Sequence, residues 1–240
     1  MGDRQFLVGD SLLVTPVLLP NVTTIDGVFP SAGGPWRDFW THEVLDVEPD
    51  VNSTVPAPLR CIFPITRVFF NTVLNAIQLS SHINVHIRPG TVLALYKNPG
   101  HTIFETAQSP YTLLISLDGA GEAHGEMYYD DGETQWTEKA PGTTVTFDVS
   151  GGNLTSNVIH GTCVIPHKLT DIVVLGVSEK PRNVHSDMHS VHNYDPAVRG
   201  LNWLCALQER PIVCNTNQKM ALNATSLDID LNKPFSFSWA

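Results

Sequence analysis

Residues 143–149 alternate without a break: Val145, Phe147 and Val149 fall on one side, and Thr144, Thr146 and Asp148 on the other. A period of two describes a strand with one dry and one wet face. Upstream, residues 111–117 have strand composition. Between the two lies Asp131-Gly132, the dipeptide that turns a tight hairpin because glycine accepts φ > 0 without steric cost. Asp130, Asp131 and Gly132 are therefore expected to form a hairpin turn with an Asx-type side-chain bond. A calcium loop is disfavoured, because its Asp-x-Asp-x-Asp-Gly spacing is missing.

Strand patterns recur at 83–88, 91–96, 102–106, 125–129, 158–165, 169–177, 227–231 and 235–239. Residues 11–19 are almost wholly apolar and read as a strand buried on both faces, with Pro16 marking a bulge or an edge. Residues 36–41 place Trp36, Asp38 and Trp40 on one strand face. Residues 44–58 are acidic and proline-rich and read as a connection. The chain carries 17 Gly and 17 Pro, enough to punctuate many short strands. The expected fold is all-β, with little helix: two consecutive antiparallel β-sandwich domains.

Two segments depart from their surroundings. Residues 60–81 hold no acidic residue, although the chain has a net charge of −10. Phe69, Val73 and Ile77 recur there at spacing four, which suggests a helix over 66–79. This segment, and 200–219 after it, read as foreign inserts of translated intron. Cys61, Cys205 and Cys214 fall inside them. With Cys163 they show no metal-ligand spacing, nor do the histidines. No metal and no cofactor is expected.

The negative charge repels a phosphate backbone, which excludes nucleic acid as a partner. No apolar run approaches the roughly 20 residues of a membrane span, so no membrane partner is expected. Residues 1–5 are charged and do not read as a signal peptide. Sequons at Asn21, Asn52, Asn153 and Asn223 are candidate N-glycosylation sites. No nucleophile elbow occurs. No phosphate loop occurs either, since Gly119-Ala-Gly121 joins two strands instead of opening a helix.

Taken in order, five pieces carry a resemblance. They are Gln5-Phe-Leu-Val-Gly-Asp-Ser-Leu-Leu-Val-Thr-Pro-Val17, Trp36-Arg-Asp-Phe-Trp-Thr41 and Ile83-Asn-Val-His-Ile-Arg88, then Glu126-Met-Tyr-Tyr-Asp-Asp-Gly-Glu133 and Asp171-Ile-Val-Val-Leu-Gly-Val177. Together the chain resembles the C-terminal region of glycoside hydrolase family 31, the α-glucosidases. The resemblance implies a proximal sandwich over 1–95 and a distal one over 96–240, which in the family follow a catalytic barrel. It also implies a non-catalytic role and a parent reaction that hydrolyses terminal α-linked glucose from oligosaccharides. The implied partner is the parent's barrel, and the implied location of the parent is the secretory pathway or outside the cell.

Retaining enzymes of this kind need two carboxylates roughly 5 Å apart. The family carries both on the barrel, so no catalytic residue is expected here. Trp36-Arg-Asp38 imitates the family's nucleophile motif, but Phe39-Trp40-Thr41 follows, as in the proximal sandwich. Two alternatives stay open: a carbohydrate-binding sandwich, with Trp36, Trp40 and Trp136 as candidates for stacking on a sugar face, or a truncated gene product without function.

Overall fold

The computed structural model describes residues 4–19, 22–57, 83–132, 142–179, 181–186, 189–190, 194–195 and 220–239. The suspected inserts 60–81 and 200–219, the helix expected over 66–79, Asn21 and Trp136 lie outside these residues.

The first part of the chain gives β1 (Phe6–Val8), β2 (Leu12–Val14), β3 (Thr24–Val28), β4 (Arg37–Asp38), β5 (Asn52–Pro56) and β6 (Val85–Ile87). Four of them form a sheet in the order β1-β2-β6-β4, and β3 pairs separately with β5. The β5 strand lies in the segment expected to be a connection. Its backbone pairs antiparallel with β3 from Thr24↔Pro56 to Val28↔Asn52, and the Thr54 hydroxyl donates to the Asp26 carboxylate at 2.6 Å. Leu13, Phe29, Trp36 and Val55 close a small core beneath.

The remainder gives β7 (Thr91–Tyr96), α1 (Ile103–Thr106), β8 (Tyr111–Ser116), β9 (Ala123–Asp130), β10 (Gly142–Ser150), β11 (Asn153–Gly161), β12 (Leu169–Val177), β13 (Val184–Ser186), β14 (His189–Ser190), β15 (Tyr194–Asp195), β16 (Met220–Ala224) and β17 (Ser236–Trp239). These strands form one hydrogen-bonded series, β14-β13-β17-β11-β10-β9-β7-β8-β12-β16-β15. The series folds over on itself at β7 and β9, which share a single residue pair, Thr91↔His124. Gly125 allows that crossing, because a Cβ there would collide with the Val92 carbonyl.

Two leaves result. The first holds β7, β8, β12, β16 and β15, and the second holds β9, β10, β11, β17, β13 and β14. Between them lies the main core. Leu113, Ile115, Ile172, Val174 and Leu222 come from the first leaf, and Val145, Phe147, Leu154 and Phe237 from the second. Each fully buried side chain of this size contributes about 1.5–3 kcal/mol. The outer face of the first leaf is also covered, because Leu114 and Leu175 pack with Ile87, Leu12 and Phe39 of the small sheet. The molecule is thus three layers deep across β8 and β12.

Sheet membership changes at the Pro89-Gly90 turn, so β7, which sequence assigned to the first domain, pairs within the larger sheet. The β8 and β12 strands run parallel, against the antiparallel pairing expected throughout.

Three further expectations are corrected. Residues 103–106 are helical instead of extended. The Thr102 hydroxyl accepts from the Glu105 amide at 3.1 Å, and the Glu105 carboxylate accepts from the His101 amide at 2.9 Å, a reciprocal cap that sets the first turn. Residues 227–231 form no strand. Ile229 makes only a bridge to Leu169, and the Asp230 carboxylate bends the chain by accepting from the Asn232 amide. Strand β2 ends at Val14. The next amide, Thr15, still donates to the Asn84 carbonyl, but Pro16 has no N–H with which to continue the ladder.

Candidate functional site

The segment expected as a doubly buried strand at 11–19 divides in two. Leu13, Val14 and Thr15 are buried, while Leu18 and Leu19 are 60% and 64% exposed. Strand β1 is exposed along its whole length, with Phe6 at 55%, Leu7 at 45% and Val8 at 51%. It is an edge strand of its sheet, so among the described residues its outer backbone groups have no strand partner. Three consecutive apolar residues on an uncovered edge form a docking surface of the kind that exposed apolar patches mark. Glycine at position 9, with φ +58, turns β1 back onto β2 and fixes the register Phe6↔Val14.

The Trp36–Thr41 motif is divided by its environment. Trp36 is 3% exposed, meets Phe29 edge-on at 5.7 Å and donates its indole N–H to the Pro30 carbonyl at 2.9 Å. It is a core residue and is not available to stack on a sugar. Trp40 is 45% exposed, and its indole N–H donates to the Ile83 carbonyl at 3.0 Å. Asp38 does not point out beside the tryptophans as a nucleophile would. One of its carboxylate oxygens accepts from the Trp40 and Thr41 amides at 2.9 and 2.7 Å and so holds a turn.

Two ionisable groups that sequence reasoning did not single out lie under this motif. Arg37 and His86 are each 2% exposed. Burial pulls the guanidinium down to about 10 and the imidazole down to about 4, the latter against a weaker opposing pull from Asp38. One His86 ring nitrogen lies 2.9 Å from the Thr15 hydroxyl, and the ring sits edge-on to Phe29 at 5.1 Å. The Nε and Nη2 atoms of Arg37 have no hydrogen-bond partner. Gly176, with φ +90, makes room for them, since a Cβ there would lie 2.9 Å from Nη2. A period-two pattern assigns position 37 to one strand face, but it cannot tell which face will be covered.

At the far end of β9 the Asp130 carboxylate accepts from the Gly132 amide at 3.0 Å, and Gly132 has φ +70. Strand β10 starts at Gly142, opposite Asp130, so the connection is longer than a two-residue turn. Asp131 is exposed. Among the sequons, Asn52 is exposed at the start of β5. Asn153 is half-buried at the start of β11, and Asn223 is half-buried within β16 between Val173 and Asp195. Among the described residues no group of three or more His, Cys, Asp or Glu could hold a metal ion. None of their helices is long and apolar enough to cross a membrane.

Comparison with known proteins places this arrangement. Residues 1–93 match the glycosyl hydrolase family 31 C-terminal domain. Over 230 residues, 95% of the chain, it is 40% identical to an α-glucosidase of Candida tsukubaensis, of which that stretch is 17%. Over 193 residues it is 37% identical to an α-glucosidase of Schizosaccharomyces pombe, covering 80% of the chain and 17% of the relative. The chain therefore spans about 17% of the length of these curated relatives. In three dimensions it is similar to the glucosidase II alpha subunit, with a TM-score of 0.70 at 19% identity over 99% of the chain and 24% of the subunit. A Flavobacterium johnsoniae family 31 dextranase gives 0.57 at 19% identity, over 98% of the chain and 26% of the dextranase. At these identities the structures speak for the fold alone.

Proposed function

Because this chain is a C-terminal, non-barrel part of a family 31 α-glucosidase, we propose that it braces the catalytic barrel of that enzyme through β1 and the Leu18-Leu19 segment. One observation carries the proposal: Phe6, Leu7 and Val8 form an edge strand whose apolar side chains are 55%, 45% and 51% exposed. An apolar edge of this kind is stable when a second surface closes over it. The reaction of the whole enzyme is hydrolysis of terminal α-linked glucose from oligosaccharides, with the barrel supplying both carboxylates. This chain supplies the support, in two sandwich units that meet at the Pro89-Gly90 turn. Asp38, which holds a turn with its carboxylate, fits that division of labour. The whole enzyme works in the secretory pathway or outside the cell, a placement supported by four sequons and by the exposure of Asn52.

The 240-residue chain alone turns over neither p-nitrophenyl α-glucoside nor maltose. In the whole enzyme, Phe6→Ser with Val8→Ser lowers the melting temperature and the activity together. Turnover by the isolated chain that disappears with Asp38→Asn overturns the proposal. So does a whole enzyme indifferent to both β1 substitutions. Secretory placement is read by treating enzyme from its native host with a glycan-removing amidase. A mobility shift that is reduced in Asn52→Gln supports it, and no shift overturns it.

A further inference from the structure

At one end of the sandwich a cleft of about 450 Å³ opens between the 117–121 connection, the Gly151-Gly152 turn and the chain leaving β12. That volume falls within the roughly 300–1,000 Å³ of small-molecule sites. Gly152, with φ +76, lets the turn lie close against the end of β17, because a Cβ there would lie 2.7 Å from the Trp239 carbonyl. Asp118 forms one wall. Its Oδ1 accepts from the Ala120 and Glu122 amides, each at 2.9 Å, which leaves Oδ2 without a partner among the described residues. Ser178 and Glu179 also line the cleft, both exposed and both without a hydrogen-bond partner among the described residues. Arg182 and Trp239 complete the lining, and the Trp239 indole N–H likewise has no partner among the described residues.

This set mixes acceptors and donors around a small space. A lining of two carboxylates and one guanidinium makes it a poor site for phosphate or sulfate. Two carboxylates with no third ligating side chain make it a poor site for a divalent cation. A neutral molecule with neighbouring hydroxyls suits it, since each hydroxyl donates to a carboxylate and accepts from the indole or the serine. We infer that the cleft is a non-catalytic carbohydrate subsite that takes one or two units of an α-linked glucose chain. The hydroxyl chemistry comes from the cleft, while the choice of glucose rests on the function proposed above. A subsite here would hold a longer substrate on the enzyme between cleavage events.

The test is calorimetric titration of the 240-residue chain with maltotriose, with inorganic phosphate and calcium chloride titrated separately. Saturable maltotriose binding is expected. Glu179→Gln and Trp239→Phe should each weaken it about fivefold or more, the effect of losing one good hydrogen bond. Glu126→Gln, on the outer face of β9, should leave it unchanged. Glu179 is exposed, so its variant keeps the test sound if Trp239→Phe unfolds the chain. The absence of saturable maltotriose binding overturns the subsite, as do equal affinities in all variants or tighter binding of phosphate or calcium. No barrel is needed for this measurement, so its failure leaves the bracing role standing. Conversely, maltotriose binding by a chain whose β1 variants leave the whole enzyme untouched overturns the bracing role alone.

Discussion

The two leaves of the large sandwich are built from strands of similar length but opposite surroundings. In β10 the outward residues Thr144, Thr146 and Asp148 are half-buried or exposed, while Val145, Phe147 and Val149 are buried. In β8 the run from Leu113 to Ser116 is buried on both faces, and β12 is buried from Val174 to Val177. The difference comes from the small N-terminal sheet, which covers the first leaf and leaves the second open. An open leaf must alternate, whereas a covered leaf has no reason to.

The largest effect that tests this contrast is Leu114→Asp set against Thr144→Asp. Leu114 is 3% exposed between the first leaf and the small sheet, so the carboxylate would be buried without a partner. A loss of about 4 kcal/mol or more is expected, enough to unfold a marginal domain. Thr144→Asp, on the open leaf, should cost less than about 1 kcal/mol. Urea unfolding of both variants makes the comparison, and equal losses would mean that the small sheet does not cover the first leaf.

Next comes the pH dependence of the covered side. Burial holds the folded His86 imidazole neutral down to about 4, while in the unfolded chain it takes a proton near 6.5. The unfolded state therefore binds more protons below 6.5. The stability involved is complete above that pH and is lost as pH falls from 6.5 through about 4, by about 3 kcal/mol at most. The difference in unfolding free energy between the wild type and His86→Gln, measured at pH 7 and pH 4.5, isolates this contribution. An identical pH response in both proteins would place His86 in contact with water.

A smaller effect with the opposite sign is expected at Arg37. Two of its guanidinium nitrogens are buried without partners, so Arg37→Met should raise stability by about 1–2 kcal/mol. A drop in melting temperature would show that the guanidinium has a partner after all. Smallest of all is Thr146→Val on the outer face of β10, expected within about 0.5 kcal/mol of wild type. A larger change would mean that the second leaf, too, has a cover.

Sequence carried β9 and β10 well, because alternation is a local signal and the two are hairpin neighbours. It placed the next strand at 158–165, whereas the Gly151-Gly152 turn starts β11 at Asn153 and the strand ends at Gly161. It also carried the core character of β12 through the apolar run at 172–175. It could not carry the parallel pairing of β8 with β12, since Leu113 meets Ile172 across a stretch in which three other strands form. The α1 helix has a local signal. Thr102 and Glu105 make a capping pair, but Ile103, Phe104 and Thr106 have strand propensity, and propensity yields to a satisfied cap. The exposed edge at β1 has a weaker signal, because Phe6-Leu7-Val8 looks the same in sequence whether it is covered or bare. The cleft beside Trp239 had none, since its walls come from four separated segments.

The parallel contact between β8 and β12 also sets an order of events during synthesis. Strand β8 leaves the ribosome with its β7 hairpin partner already made, but its other neighbour is encoded about 60 residues later, or about 3–12 s at ordinary elongation rates. Throughout that interval the nascent chain carries an unpaired strand edge with Leu113, Leu114 and Ile115 at its centre, a form readily captured by another chain. Codon usage between 117 and 177 and the supply of chaperones thus bear on the yield of this protein as directly as its final stability does.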